Sequence, residues 1–244
     1  MRTIRIHVDQ PLATGQELLL PAQAGEHVAR VLRMQAGDPV VLFAGNAAVE
    51  FDATLASVGK REVMALVGTA RTLENESPLE LTLAQGVARG EKMDLIVQKA
   101  TELGIARIVP IITERSEVKL DAARAEKRLL HWRAVAASAC EQSGRAVVPV
   151  IEPAAPLNAW LGSVGEGGPM RLALLPEGSK RPGELALAGA AILAIGPEGG
   201  FGERDRAALA GAAFTGLKLG PRILRTETAG LAAIAMLQAL YGDV

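Results

Sequence analysis

Cysteine is nearly absent from this chain. The single Cys140 excludes an internal disulfide, and its place beside the apolar stretch 134–139 marks it as a buried structural thiol. Histidine is scarce too. The three, at positions 7, 27 and 131, are far apart and have no cysteine partners, so no zinc pattern exists and no metal is expected. Aromatic residues make up 3%, too few for a broad base-stacking platform. The net charge of −1 excludes a bulk cationic field, so any nucleic-acid contact must use a local patch. No uninterrupted apolar run approaches the roughly 20 residues of a membrane span, and the N-terminus lacks a signal-peptide pattern, so a cytoplasmic protein with no membrane partner is expected. Internal repeats are also missing.

What is present is a hydrophobic content of 49% in 244 residues, enough for a full core in one large or two small domains. The first seventy residues read mostly as strand. Ile4, Ile6 and Val8 alternate with Arg5 and His7, and 40–43 leads through Gly45-Asn46 into 49–53. A short helix is expected at about 25–34. Strands this short need closure to bury a face, which argues for a small β-barrel. The polar, proline-ended stretch 73–78 reads as a linker, dividing the chain into 1–73 and 74–244. Beyond it the pattern alternates: strand 79–84, helix 91–103, strand 107–112, helix 121–142, strand 147–151, then strands 171–175, 191–195 and 214–219, with helices after the last two. Such alternation predicts an α/β layer structure with a mostly parallel sheet. The glycine-rich stretch 162–168 reads as a flexible connection without chemistry. The final helix, 227–241, is apolar nearly all round and needs cover on more than one side, from its own sheet and from either the monomer or a second subunit.

Two backbone-rich loops carry the chemistry. Ala194-Ile195-Gly196-Pro197-Glu198-Gly199-Gly200-Phe201-Gly202 ends one apolar strand, and Leu219-Gly220-Pro221-Arg222-Ile223-Leu224-Arg225-Thr226-Glu227-Thr228-Ala229 follows about twenty residues later. The first is not a dinucleotide loop, because its spacing is G-x-x-G-G-x-G, Pro197 removes a donor and Glu198 would repel a pyrophosphate. No Gly-Lys-Ser/Thr follows, which excludes a Walker loop. A ligand with positive charge and no phosphate suits Glu198, and S-adenosylmethionine is compatible. The second loop offers apolar walls and backbone groups at 219–220 and 223–224, with Arg225, Thr226 and Thr228 at a helix entrance. A solvated Glu198 and a simple Thr226 cap are the plainer alternatives.

These two motifs resemble the signature pair of the RsmE family, the 16S ribosomal RNA uridine N3-methyltransferases of the SPOUT trefoil-knot class. The resemblance extends to His27-Val28-Ala29-Arg30-Val31-Leu32-Arg33, Gln98-Lys99-Ala100-Thr101-Glu102-Leu103-Gly104, Thr113-Glu114-Arg115-Ser116 and Glu141-Gln142-Ser143-Gly144-Arg145. It implies a PUA-like RNA-binding β-barrel, a C-terminal trefoil-knotted SPOUT domain, S-adenosylmethionine as methyl donor and a homodimer. By position it sets the cofactor against Leu174, Leu175, Pro176, Glu177, Gly196, Pro197, Glu198, Gly199, Gly200, Leu219, Gly220, Ile223, Leu224, Arg225, Thr226 and Thr228. Where the family has Ser after Gly-Gly-Phe and Glu three residues later, this chain has Gly202 and Asp205, for which a small loss of local stability is expected.

Methylation of uracil N3 requires loss of its proton and stabilisation of charge on O2 and O4. Arg225 and Glu198 are the expected catalytic residues, Arg225 orienting and stabilising the base and Glu198 helping to position the cofactor. RNA contacts are expected from Arg5, His27, Arg30, Arg33, Lys99, Arg115 and Arg145, and the substrate from the 16S rRNA of the small ribosomal subunit. Two other readings remain: a knotted methyltransferase acting on transfer RNA, and a non-catalytic RNA-binding assembly protein.

Overall fold

The computed structural model describes residues 4–59, 62–118, 121–165 and 167–244; Glu166, in the expected flexible connection, lies outside them. The chain forms two compact units, Met1–Glu76 with Ala137–Val148, and Ser77–Ala136 with Pro149–Val244.

In the first unit, β1 (Arg5–His7), β2 (Glu17–Leu19), α1 (Ala22–Glu26), β3 (Pro39–Phe43), β4 (Val49–Val58) and β5 (Val63–Thr72) follow in order. The strands form one sheet, β1-β3-β4-β5-β2, antiparallel except for the β1–β3 pair. Period-two patterning turns Val40, Leu42, Ala53, Leu55, Val63, Ala65 and Val67 inward, where Ile6, Val8, Leu18 and Val28 join them in one core. The helix begins earlier than its sequence pattern indicates. Gly25 is no starting point, because it is buried against Val63, and α1 continues into a π-helical turn, His27–Val31. There the Leu32 N–H reaches the His27 carbonyl (3.0 Å), and the turn ends on Arg33 in a left-handed conformation (φ 55°).

Charges are buried in this unit, but in pairs. Glu50, 2% exposed, meets Arg5 and Arg71, while Arg5 Nη2 donates to the Arg145 carbonyl (2.8 Å) and its guanidinium lies 5.0 Å from the Phe43 ring centroid. Glu76 accepts from Arg145 Nε (2.9 Å) and from the N–H groups of Ala146 (3.1 Å) and Val147 (3.0 Å). The beginning of the expected linker is therefore held in place: 73–76 is tied down by Glu76, by Asn75 Nδ2 on the Gly144 carbonyl (2.9 Å) and by the Leu73 N–H on Ala48 (2.9 Å). Its polar residues serve as partners to buried backbone.

The second unit contains β6 (Glu80–Gly86), α2 (Glu91–Glu102), β7 (Arg107–Ile112), α3 (Ala122–Ser143, whose residues from Ala137 onward group with the first unit), β8 (Val150–Ile151), β9 (Ala155–Pro156), α4 (Leu157–Ser163), β10 (Met170–Leu174), β11 (Ala190–Ile195), α5 (Glu203–Gly211), β12 (Thr215–Leu217) and α6 (Thr226–Tyr241). Its sheet runs β12-β10-β11-β6-β7-β8 with every pair parallel, and β9 adds to β7. The central strands are continuous apolar runs because both faces are covered. The strand expected at 147–151 is divided: Val147 bridges Gly45 and Asn46, Pro149 supplies no N–H, and only Val150 and Ile151 join β7. Helix α6 buries Ala229, Gly230, Ala233, Ile234 and Leu237 yet leaves Met236 39% and Leu240 51% exposed.

Cys140 is fully buried in the first unit beside Phe43 and Ala146. Burial pushes its thiol up to about 12. At pH 8 the thiolate is therefore scarce and shielded. Alkylation of the folded protein, followed by intact mass, should proceed only at the rate of unfolding; rapid stoichiometric labelling would contradict the buried placement.

Candidate functional site

Three loops meet because three strands are neighbours. β12, β10 and β11 lie side by side and parallel, so the chain leaves all three at one sheet edge, where open α/β sheets bind ligands. A pocket of about 480 Å³ lies there, within the ~300–1,000 Å³ range of small-molecule sites. Its walls are Leu174, Leu175 and Pro176 after β10, 195–201 from the end of β11, and 218–225 after β12. Lys92 of α2, Arg115, Arg206 of α5, and Thr226, Glu227 and Ala229 of α6 complete it.

Close backbone packing shapes the glycine loop. The Gly200 N–H closes a turn on the Pro197 carbonyl (2.8 Å), and Gly200 has a φ of 67° that favours glycine. A Cβ on Gly86 would stand 2.4 Å from Pro197 N, so the end of β6 accepts this loop only as glycine. Thr226 then locks the second loop to the first. Its hydroxyl donates to the Gly196 carbonyl (2.7 Å) and accepts from Nε2 of the fully buried Gln85 (2.9 Å).

Glu198 Oε1 accepts the Arg89 N–H (3.0 Å) and lies 3.4 Å from Lys92 Nζ, which is 3.7 Å from Glu227 Oε2. Burial alone pushes the Glu198 carboxyl up; hydrogen bonds from Arg89 and from its own N–H, together with the Lys92 ammonium, outweigh that and hold it below its ordinary value of 4.5. The lining residues carry six cations, Lys92, Arg115, Arg206, Lys218, Arg222 and Arg225, against two carboxylates. A pocket on a chain of net charge −1 is thus locally basic.

Of the residues expected at the cofactor, all line this pocket except Glu177 and Thr228. Glu177 instead pairs with Arg206 (2.6 Å), and Thr228 donates its N–H to the Arg225 carbonyl (2.9 Å). Arg115, expected to touch RNA, lines the pocket and donates to the Gly199 carbonyl (3.0 Å). Lys99 stands outside it on α2, bonded to Glu102 (2.9 Å). In the first unit His27, Arg30 and Arg33 are exposed, Arg30 pairing with Glu26 (2.5 Å). Arg5 and Arg145 differ from expectation: with side chains 12% and 7% exposed, they are held by Glu50 and Glu76 and are not presented to a ligand. Sequence reasoning missed Lys92, Arg206, Lys218 and Arg222 as lining residues, and also Glu227. Lys92 had no local signal, being about a hundred residues away; Glu227 stood inside the second motif but read as a helix start.

The Gly202 and Asp205 departure also has a structural account. Asp205 accepts the N–H groups of Gly202 (2.9 Å) and Glu114 (3.2 Å), while Glu114 Oε2 takes the Arg204 N–H (3.3 Å) at the start of α5. A Cβ on Gly202 would lie 2.0 Å from that oxygen. Glu114 supplies the cap that a serine would bring, so the expected local loss is offset from another loop.

A parallel sheet with a backbone-built pocket at its carboxyl edge is the setting of an RNA methyltransferase domain, and the family model of that description matches residues 75–238. The chain is 30% identical to ribosomal RNA small subunit methyltransferase E of Buchnera aphidicola, covering 100% of this chain and 98% of that one. Among solved structures, a putative methyltransferase from Legionella pneumophila with bound S-adenosylmethionine is 39% identical at a TM-score of 0.94, covering 100% of both chains. Ribosomal RNA small subunit methyltransferase E from Neisseria gonorrhoeae, bound to S-adenosylmethionine, is 36% identical at 0.91 over 99% of each. The chain belongs to the ribosomal RNA small subunit methyltransferase E family.

Two outcomes follow from this geometry. Thr226→Val should lower unfolding free energy by about 1–3 kcal/mol in urea titrations, because it removes one buried hydrogen bond from the Gly196 carbonyl and one from Gln85, whereas Thr226→Ser should stay near wild type. Glu198 binds its proton less tightly folded than unfolded, so its stabilisation is complete above its ordinary value of 4.5 and fades as pH falls through the lower folded value. Glu198→Gln should therefore melt below wild type at neutral pH and converge with it in acid; a constant gap across pH would exclude this linkage.

Proposed function

We propose that this chain transfers the methyl group of S-adenosylmethionine to N3 of a specific uridine in 16S rRNA, with the assembled small ribosomal subunit as substrate. Supporting this is one observation above others: the two motif loops and the end of β10 close a single pocket that combines apolar walls, backbone groups and a free arginine. Family membership supplies the reaction class. The chain is an rRNA methyltransferase that uses S-adenosylmethionine.

The residues present fit that cofactor. A Cβ on Gly200 or Gly220 would meet no protein atom within 4 Å, so space beside the loops is open to a ligand. Leu174, Leu175, Leu219, Ile223 and Leu224 would hold its adenosyl portion, and Gly196, Pro197, Gly199 and Gly200 its polar edge. The carboxylate of Glu198 suits its cationic groups. When bound, it supplies a methyl group on a sulfonium, already activated, so the transfer needs no metal. Glu198, tied to Arg89 and Lys92, holds the glycine loop in place. Arg225 is exposed at the pocket and its guanidinium forms no hydrogen bond or ion pair with another described residue, which leaves it to orient the uracil and stabilise charge on O2 and O4.

Residues 1–73 are assigned as the PUA-like RNA-binding barrel, with His27, Arg30 and Arg33 as its cations, and 74–244 as the SPOUT domain, with Arg115 and Lys99. Thr226 supports a trefoil knot in the latter: from the outer strand β12 the chain must cross the ends of β10 and β11 to bond Gly196 and Gln85. Exposed Met236 and Leu240 on α6 support a homodimer. Among the described residues no helix is long and apolar enough to cross a membrane, and a ribosomal substrate supports a cytoplasmic location.

Arg225→Ala should lower single-turnover methylation by about 10²–10³-fold while calorimetric affinity for S-adenosylmethionine changes little. Equal losses in both would remove its catalytic role. Mass spectrometry of rRNA from a deletion strain should show one uridine lacking its N3 methyl; a missing transfer-RNA mark would favour the alternative substrate.

A further inference from the structure

We propose that Glu227 accepts the N3 proton of the target uridine, which makes it a catalytic residue of the reaction assigned above, on which this inference rests. Its carboxylate lines the pocket from the first turn of α6. Oε2 is withdrawn from water yet has no hydrogen-bond partner, and neither oxygen accepts a hydrogen bond from another described residue. Among the described residues its one ion-pair partner is Lys92, with Nζ 3.7 Å from Oε2. The positive end of α6 favours an anion there, but an exposed carboxylate would satisfy the helix equally. A ligand cannot reach the enclosed Oε2, so its donor must come to Oε1, the oxygen left open on a side chain 17% exposed.

The neighbouring Glu198 is engaged elsewhere. Its Oε1 accepts the Arg89 N–H at 3.0 Å and has Lys92 at 3.4 Å, which ties it to the loop. Two carboxylates in one pocket thus have separate duties, set by their partners. The edge of uracil presents acceptor, donor, acceptor at O2, N3–H and O4. Lys92 and Arg225 bring donors to the pocket and Glu227 an acceptor, the group types that this edge requires. Cytosine carries a lone pair at N3 and would face the carboxylate with repulsion, so the same residue selects uridine.

In the step, the N3–H bond breaks and its electron pair forms the new N3–CH3 bond. The bond from that methyl to sulfur breaks with its pair staying on sulfur. The proton passes to Glu227, whose neutral carboxyl releases it to water after product leaves. The charged groups that share the pocket with Glu227 are Lys92 at 3.7 Å, Glu198 beyond it in the glycine loop, and Arg115, Arg206, Lys218, Arg222 and Arg225 along the walls.

Full-length Glu227→Gln and Glu227→Asp test this, with small subunits lacking the modification and S-adenosylmethionine as the probe. The Gln variant should bind S-adenosylmethionine within about threefold of wild type by calorimetry, and lose about 10²–10⁴-fold in single-turnover rate. Its residual rate should rise about tenfold per pH unit while wild type levels off, because solvent must then remove the proton. The Asp variant should keep a measurable rate and a wild-type profile. A Gln variant with the wild-type rate or profile, or one whose cofactor affinity falls in step with its rate, would overturn the proposal. If the Gln variant loses its melting transition, the Asp variant decides: a tenfold-per-unit profile there would also overturn it. A wild-type enzyme that binds S-adenosylmethionine but methylates another atom or base would remove the uridine N3 reading itself, and this proposal with it.

Discussion

The pocket depends on where the last helix starts. Thr226 is buried at that point, donating to Gly196 and accepting from Gln85, so one hydroxyl joins the end of β6, the loop after β11 and the first turn of α6. Because β12 is the outer strand, this attachment draws 218–225 across the ends of β10 and β11. Every wall of the site follows from that crossing. A buried polar contact of this kind is strong when each member is satisfied and costly when one is removed, which is why a single threonine can decide the shape of a ligand site.

Charge is organised by the same economy of position. The chain is close to neutral, yet six cations face the pocket, and the arginines of the first unit divide into two groups. Arg5 and Arg145 are enclosed with Glu50 and Glu76 and hold strands and loops together, while Arg30 and Arg33 stand exposed around a π-helical turn. Residue type is identical in both groups. Only the availability of a buried carboxylate separates a structural arginine from one that can meet a phosphate.

Much of the architecture was legible because it rests on local periodicity. The alternation of Ile4, Ile6 and Val8, the apolar runs that became β6, β7 and β11, and the helical spacing in α2 all correspond to observed elements. Boundaries moved where packing overrode the local pattern: Gly25 lies inside a helix because Val63 passes close by, and Pro149 divides an apolar run between two units. The glycine loop was readable as a ligand loop from Pro197 and Glu198. The capping role of Glu114 was not, since its partner, the Arg204 N–H, lies ninety residues away.

The amino-acid order by itself determined the layer pattern, the exclusion of phosphate-loop chemistries and the family, because these depend on residue types at short, fixed spacings. Tertiary structure alone decided that Lys92 would stand between Glu198 and Glu227, that Arg5 would be buried, and that Glu227 would line the pocket without a hydrogen-bond partner. Such facts depend on which distant groups come within a few ångströms. Burial and pairing set the chemistry of a charged side chain, and neither is encoded in its immediate neighbours.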